Sequence, residues 1–181
     1  MNGFLETRTG RTITLPNFEG VFDIMDISWA LSMQCRFNGH CSEFYSVAEH
    51  SFLVSHMVPK EHALCGLLHD ATEAYMGDMI SPLKDVFPEF RILEQKLWVK
   101  LANHFGLPEK MPAAVHQSDI ELLYNEARIL MVSKGDNWKE WLKGVDPDNV
   151  PMISLPLWSP QEARDAFLGR YYELVNGGRY A

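Results

Sequence analysis

Residues 46–77 read SVAEHSFLVSHMVPKEHALCGLLHDATEAYMG, and the reading of this stretch decides the fold. Ser46-Val-Ala-Glu49 is a capping-box pattern: a serine at the helix cap and a glutamate three residues on can satisfy the first free N–H groups. Apolar Val47, Phe52, Val54 and Met57 carry that helix as far as Pro59. Pro59 suits the first turn of a second helix, running through Ala63, Leu64, Leu67 and Leu68 to about Tyr75, with Gly77 beyond its end. The punctuation is helical.

Outward from this stretch the same signals recur. Asp26 can cap a helix running through Trp29, Ala30 and Met33, and before it residues 4–7 and 12–15 flank Thr9-Gly10 as a short β-hairpin. On the C-terminal side, Ser81-Pro82 starts a short turn of helix. A longer helix begins at Pro88, with Leu93, Leu97, Val99, Leu101 and Phe105 facing inward and Gly106 as its stop. Another runs from Pro112 to about Val132, carrying Val115, Ile120, Leu123, Ala127 and Leu130. Ser159-Pro160-Gln161-Glu162 repeats the capping box before a last helix that passes Phe167 and Tyr171 to Gly177-Gly178. Residues 144–157 hold Pro147, Pro151 and Pro156, too irregular for helix. The stretch from Trp158 to Ala181 is too short for a second core, so residues 144–157 are expected as a loop packed on the same domain. The expectation is one mostly helical domain over residues 1–181 with a small N-terminal β-hairpin.

Composition narrows the function. The chain has 181 residues, 46% hydrophobic and 22% charged, which excludes a disordered, collagenous or disulfide-scaffold protein. Its net charge of −8 argues against nucleic acid or an anionic membrane surface as the main partner. No apolar run approaches the roughly 20 residues of a spanning helix, and residues 1–11 lack the apolar core of a signal peptide. Cys35, Cys41 and Cys65 are an odd set without C-x-x-C spacing, read as free buried thiols of a reducing cytoplasm.

The chemistry concentrates between Arg36 and Lys84. His69-Asp70 and Glu73 emerge directly from the apolar run 63–68, and at helical spacing they lean to one side. A histidine and two carboxylates leaving a buried helix are costly unless a divalent cation compensates them. A bare His-Asp pair at a wet helix end is the plainer alternative. His50 on the preceding helix and Asp119 on a later one, beside Val115, Ile120 and Leu122, complete a set of two imidazoles and two carboxylates. Such a set suits Zn, Co, Mn or Mg and leaves positions for water and a phosphate oxygen. With the chain so acidic, an anionic substrate needs that cation, and Arg36 and Lys84 assist.

His50, then His69-Asp70, then Asp119 resembles the H…HD…D signature of the HD-domain metal-dependent phosphohydrolases. Arg36-Phe37, Ser46-Val-Ala-Glu-His50, Leu68-His-Asp-Ala-Thr-Glu73, Gly77-Asp78, Ser81-Pro-Leu-Lys84 and Trp158-Ser-Pro-Gln-Glu162 resemble the subgroup of bacterial 5′-deoxynucleotidases and phage-type dATP triphosphohydrolases. The resemblance runs from about Trp29 to the last helix. It implies an HD-domain helical bundle in which His50, His69, Asp70 and Asp119 ligate the metal. Glu73 is then the catalytic carboxylate that orients or deprotonates water, and Asp78 the acid that hydrogen-bonds the sugar 3′-hydroxyl. Arg36 and Lys84 match cationic groups on the phosphates. Phe37 stands where relatives often have tryptophan against the nucleoside, keeping a stacking face without the indole donor. The reaction implied is dATP plus water to deoxyadenosine plus triphosphate, by a cytoplasmic homo-oligomer, a dimer or hexamer (in the host cytoplasm for a phage protein). The alternatives are a 5′-deoxynucleotidase releasing phosphate from deoxynucleoside monophosphates, a more distant cyclic-nucleotide or guanosine-tetraphosphate hydrolase, and an inactive nucleotide-binding sensor.

The remaining histidines, aromatics and thiols carry less. His40 lies in the loop near Arg36, either against substrate or in solvent. His56 points away from His50, His62 starts a helix at the surface, and His104 sits near a helix C-terminus. His116, one turn before Asp119, either supports that ligand or does nothing. Cys65 is read as a core thiol and not a nucleophile. Trp138 and Trp141 are expected in packing or an oligomer contact, and Met76, Met79 and Met131 as core filler.

Overall fold

The structure, a computed structural model, describes residues 3–139, 142 and 144–177. It is mostly α-helical, with one antiparallel hairpin at the N-terminus. Strands β1 (Gly3–Glu6) and β2 (Thr12–Leu15) pair with Gly3 opposite Leu15 and Glu6 opposite Thr12. The turn carries Gly10 at φ 81°, where a side chain would strain the backbone. Helix α1 (Ile24–Met33) is capped by Asp23, whose carboxylate accepts from Met25 N–H. The expected cap, Asp26, lies inside the first turn instead. Its buried carboxylate accepts from the Thr9 N–H and hydroxyl, 2.8 Å each, and ties the hairpin turn to the helix.

Helix α2 (Val47–Met57) starts at Ser46 as expected, the hydroxyl accepting from Glu49 N–H at 3.1 Å. Only half of the capping box forms. Glu49 turns its carboxylate to the backbone N–H groups of Leu157 and Trp158, at 2.7 and 2.8 Å, and so fastens the C-terminal loop across α2. The continuous helix expected from Pro59 to Tyr75 is broken. A 3-10 turn over Lys60–His62 leads into α3 (Ala63–Leu68), and a separate α4 covers Glu73–Met76. Between them the chain tightens to three-residue bonds, Ala71 N–H to Leu68 O and Glu73 N–H to Asp70 O, both 2.9 Å. His69 caps the break, its Nδ1 lying 2.8 Å from Gly66 O. This turn places His69, its side chain 6% exposed, and Asp70, 20% exposed, at the edge of the core.

The chain continues through helices α5 (Ser81–Val86), α6 (Pro88–Phe105), α7 (Ala113–Leu130) and α8 (Pro160–Val175). Gly106, at φ 69°, ends α6 as expected, and the Ser159–Glu162 capping box is complete. On α6 it is Trp98 that is buried and Val99 that is half-exposed, with the indole N–H donating to Glu109 O. Gly178 lies outside the described residues. The loop after α7 packs on that helix: Asn125 exchanges hydrogen bonds with the Ile153 backbone, and Val150 and Leu155 are buried. Helix α2 runs through the middle, against α1, α3, α7 and α8. One core cluster gathers Ile27, Leu31, Val47, Leu67, Leu97 and Phe167, and another Tyr45, Val54, Trp98, Val115 and Leu122. Among the described residues no helix is long and apolar enough to cross a membrane.

Candidate metal centre and its two cavities

α2 supplies His50, the turn after α3 supplies His69 and Asp70, and α7 supplies Asp119. One ligand atom each from His50, His69 and Asp119 lies within 4.8 Å of the others, so the three can hold a metal ion. His50 Nε2 is 3.0 Å from Asp119 Oδ1 and 3.3 Å from His69 Nε2. Asp70 joins them, its Oδ2 3.2 Å from His69 Nε2 and 3.7 Å from His50 Nε2.

The far nitrogen of each ring fixes its tautomer. A carbonyl and an ionised carboxylate can only accept, so His69 Nδ1–H donates to Gly66 O and His50 Nδ1–H to Glu126 Oε1, at 2.6 Å. Both neutral rings therefore turn a lone pair on Nε2 toward the Asp119 carboxylate, with Asp70 next to His69. A divalent cation satisfies the His50, His69 and Asp119 atoms, so these three residues fit one, with Asp70 beside them. Otherwise protons must serve. Although burial works against charge, the carboxylates hold His50 above the ordinary histidine value and His69 well above it. Also against burial, His69 draws the Asp70 carboxyl down to about 2, and the two imidazoles keep Asp119 well below the usual range.

Glu126 is the residue that the sequence reading missed. Fully buried on α7, it accepts from Tyr45 hydroxyl (2.8 Å) and Arg36 Nε (3.2 Å) as well as His50. Against the cost of burial, Arg36 and His50 keep its carboxyl below the ordinary value. One signal for it existed. Glu126 is seven residues after Asp119, two helical turns along one face, between apolar Leu122 and Leu130.

Two cavities meet at this centre. The larger, about 490 Å³, is lined by Arg36, Phe37, Glu73, Asp78, Trp138 and Met131, with Asp70 and Asp119 at its end. The smaller, about 380 Å³, presents Thr72, Arg91, Gln95 and His116, with His69 on its wall. Asp70, Lys84 and Asp119 line both. All nine residues singled out from the sequence thus converge on one region.

Over 151 residues the sequence is 40% identical to the uncharacterized protein YfdR of Escherichia coli, covering 83% of each chain. The chain belongs to the YfdR family. An uncharacterized protein of Rhodobacter capsulatus is 33% identical over 168 residues, covering 84% of this chain and 85% of its own. No established family profile matches the sequence.

In this YfdR-family chain the finer geometry departs from expectation in several places. Arg36 is engaged by Glu126, with one guanidinium nitrogen 3.7 Å from Asp70. Lys84 Nζ sits 2.6 Å from Glu94 and 3.6 Å from Glu73. Burial, with Asp70 and Asp78 nearby, pushes Glu73 well above the usual carboxylate value, and its Oε2 has no hydrogen-bond partner among the described residues. Burial also raises Asp78, Arg36 pulling it back. Trp138, expected in packing or an oligomer contact, does pack, on the Tyr124, Leu142 and Val150 cluster and edge-to-face with Phe37, centroids 5.6 Å apart, and it also lines the larger cavity. Met79 and Met131 line it as well, while Met76 packs on the core. Trp141 lies outside the described residues. His40 is exposed and away from both cavities, His56 is exposed and bonded to Phe52 O, and Cys65 is buried against Met111. Gln34 was also missed: its amide donates to Glu73 O and accepts from Asp78 N–H, bracing the segment that carries both acids.

Proposed function

We propose that this chain is an HD-domain metal-dependent phosphohydrolase acting on deoxynucleotides, converting dATP and water to deoxyadenosine and triphosphate. One observation carries the reading: the His50, His69 and Asp119 cluster, with Asp70 beside it, stands where an aromatic cavity meets a polar one. A nucleotide cleaved at its α-phosphorus needs that layout, with the nucleoside on one side of the reacting phosphate and the polyphosphate on the other. Phe37 and Trp138 offer ring faces to the base, and Lys84, Arg91 and His116 offer donors to the phosphate tail.

A bound divalent cation would neutralise the phosphate and lower the pKa of water. The chain's own residues do the rest. Glu73, buried and with one oxygen free, is suited to take the proton of the attacking water. Water oxygen bonds to the α-phosphorus as the bond to O5′ breaks, and the departing alkoxide takes a proton from solvent, to which Glu73 returns its own. Lys84, 3.6 Å from Glu73, stabilises charge beside that carboxylate, and Asp78 lies along the wall to receive a sugar 3′-hydroxyl.

Chromatography of products from all deoxynucleoside mono- and triphosphates, with added Mn²⁺ or Co²⁺, tests this. Deoxyadenosine and triphosphate from dATP are expected. Inorganic phosphate from dAMP with dATP untouched would make the chain a 5′-deoxynucleotidase. Nucleotide binding without turnover would leave a sensor.

A further inference from the structure

The segment between α1 and α2 brings two of the three thiols together. Cys35 and Cys41 are half-buried, with their sulfurs 3.5 Å apart. Cys35 sits in an isolated antiparallel bridge with Ser46, and the Arg36 N–H donates to Tyr45 O at 2.9 Å, so the base of the segment is anchored. The turn between the cysteines holds Phe37, Asn38 and Gly39 at φ 56°, 51° and 76°. Two of these carry a Cβ, and L-residues rarely take the left-handed region without something to hold them there. This same turn presents Arg36 and Phe37 to the larger cavity.

We propose that Cys35 and Cys41 are a modification site, forming a reversible intrachain disulfide that locks the turn presenting Arg36 and Phe37. A disulfide bond is about 2.05 Å long, so the sulfurs need to close by about 1.5 Å. The oxidant is a small-molecule disulfide such as oxidised glutathione. Cys35, as thiolate, attacks one sulfur of it, expels one glutathione thiolate and is left as a mixed disulfide. Cys41 then loses its proton, attacks the Cys35 sulfur and expels the second glutathione. Two protein thiols are oxidised, one glutathione disulfide is reduced to two thiols, and two protons are transferred. Burial and the neighbouring Cys35 push the Cys41 thiol up to about 11, so it is not the thiol that opens the exchange. Cys65, only 3% exposed, stays out of reach.

Trypsin separates the pair by cutting after Arg36, giving peptides 12–36 and 37–60. After equilibration of the full-length protein with oxidised glutathione and alkylation of free thiols, these peptides should appear joined, two hydrogens lighter than their sum. Dithiothreitol should release them, and Cys65 should be alkylated throughout. In Cys41→Ser the exchange should stop at a glutathione adduct on Cys35. Gly39 and His40 donate their N–H groups to Arg36 O and Phe37 O within the turn, so their amide exchange should slow several-fold on oxidation. The proposal is overturned by separate, alkylated peptides, by wild-type chains that halt as glutathione adducts, by cross-links between chains, or by unchanged exchange in an oxidised turn.

Discussion

The two halves of the candidate metal site are built differently. His50 and its partner Glu126 sit at 0% exposure on two packed helices, and each oxygen of Glu126 is engaged by Tyr45, Arg36 or His50 itself. Asp70 and Asp119 expose 20% and 29% of their side chains, and Asp70 stands on a turn instead of a helix. Beside Asp70, Glu73 is buried among other acids with an oxygen unpaired. The buried half is satisfied, so it fixes where a cation would lie. The open half turns the Asp70 and Asp119 carboxylates and an under-partnered Glu73 toward two cavities, where a substrate and water can reach them. Satisfaction on one side and frustration on the other is the arrangement expected of a site that must bind and then react.

The sharpest break in this comparison is on the open side. Asp70→Ala removes a charged ligand and should reduce both bound metal and dATP turnover to background. Metal analysis of the purified variant checks the first and product chromatography the second; normal occupancy would take Asp70 out of the ligand set. Next in size is Glu73→Gln, which should keep metal and nucleotide affinity while lowering kcat by roughly 10²–10⁴, the usual worth of a placed acid–base group. A raised KM with unchanged kcat would make Glu73 a binding residue. The same variant has a signature in stability. Burial and Asp70 raise the Glu73 carboxyl above its ordinary 4.5, so the folded metal-free protein holds that proton more tightly than the unfolded chain does. The contribution is full below about pH 4.5 and is lost as pH rises through the folded value. Denaturation of metal-free protein across that range should show the decline, and Glu73→Gln should lack it.

The asymmetry also explains what could be read in advance. Caps are local, so Ser46, Gly106 and the Ser159–Glu162 box announced helix ends from a few neighbouring residues. The convergence of His50, His69 and Asp119 was legible in their residue types and in the H…HD…D order that they resemble. The break between α3 and α4 could not be read, because every residue from 63 to 75 tolerates helix. Only the bonds of Leu68–Glu73 reveal the tighter turn. Glu49 kept its cap position but gave its carboxylate to a backbone 108 residues away, which no local pattern encodes. Trp138 belongs to a segment of irregular spacing, so its place in the cavity wall depended on how the chain after α7 folds back.

On the buried side, Glu126→Gln separates geometry from charge. A glutamine can still accept from Tyr45 and His50 through one oxygen, but its amide turns N–H groups toward Arg36, leaving that buried guanidinium without its main partner. Metal affinity should fall about 10–100-fold, the usual effect of altering the group behind a ligating histidine. Loss of one member of a buried ion pair should also cost about 3–5 kcal/mol, read by urea denaturation. Metal affinity and stability both equal to wild type would mean that the buried half does not govern the cluster.

The smallest effect is expected where the open half is braced. Gln34 joins the end of α1 to the segment carrying Glu73 and Asp78, donating to Glu73 O at 3.0 Å and accepting from Asp78 N–H at 2.9 Å. Gln34→Ala removes both bonds, together with a longer one to Ala30 O at 3.3 Å, and touches no ligand. Two partly buried hydrogen bonds are worth about 1–3 kcal/mol together, so denaturation should show a loss within that range. Metal affinity should hold, because the buried half is untouched. Nucleotide KM should rise a few-fold, because Asp78 loses its backbone anchor while Glu73 keeps its side-chain environment. If metal affinity fell instead, the halves would be coupled through α1, and the division between a fixed side and a reacting side would not stand.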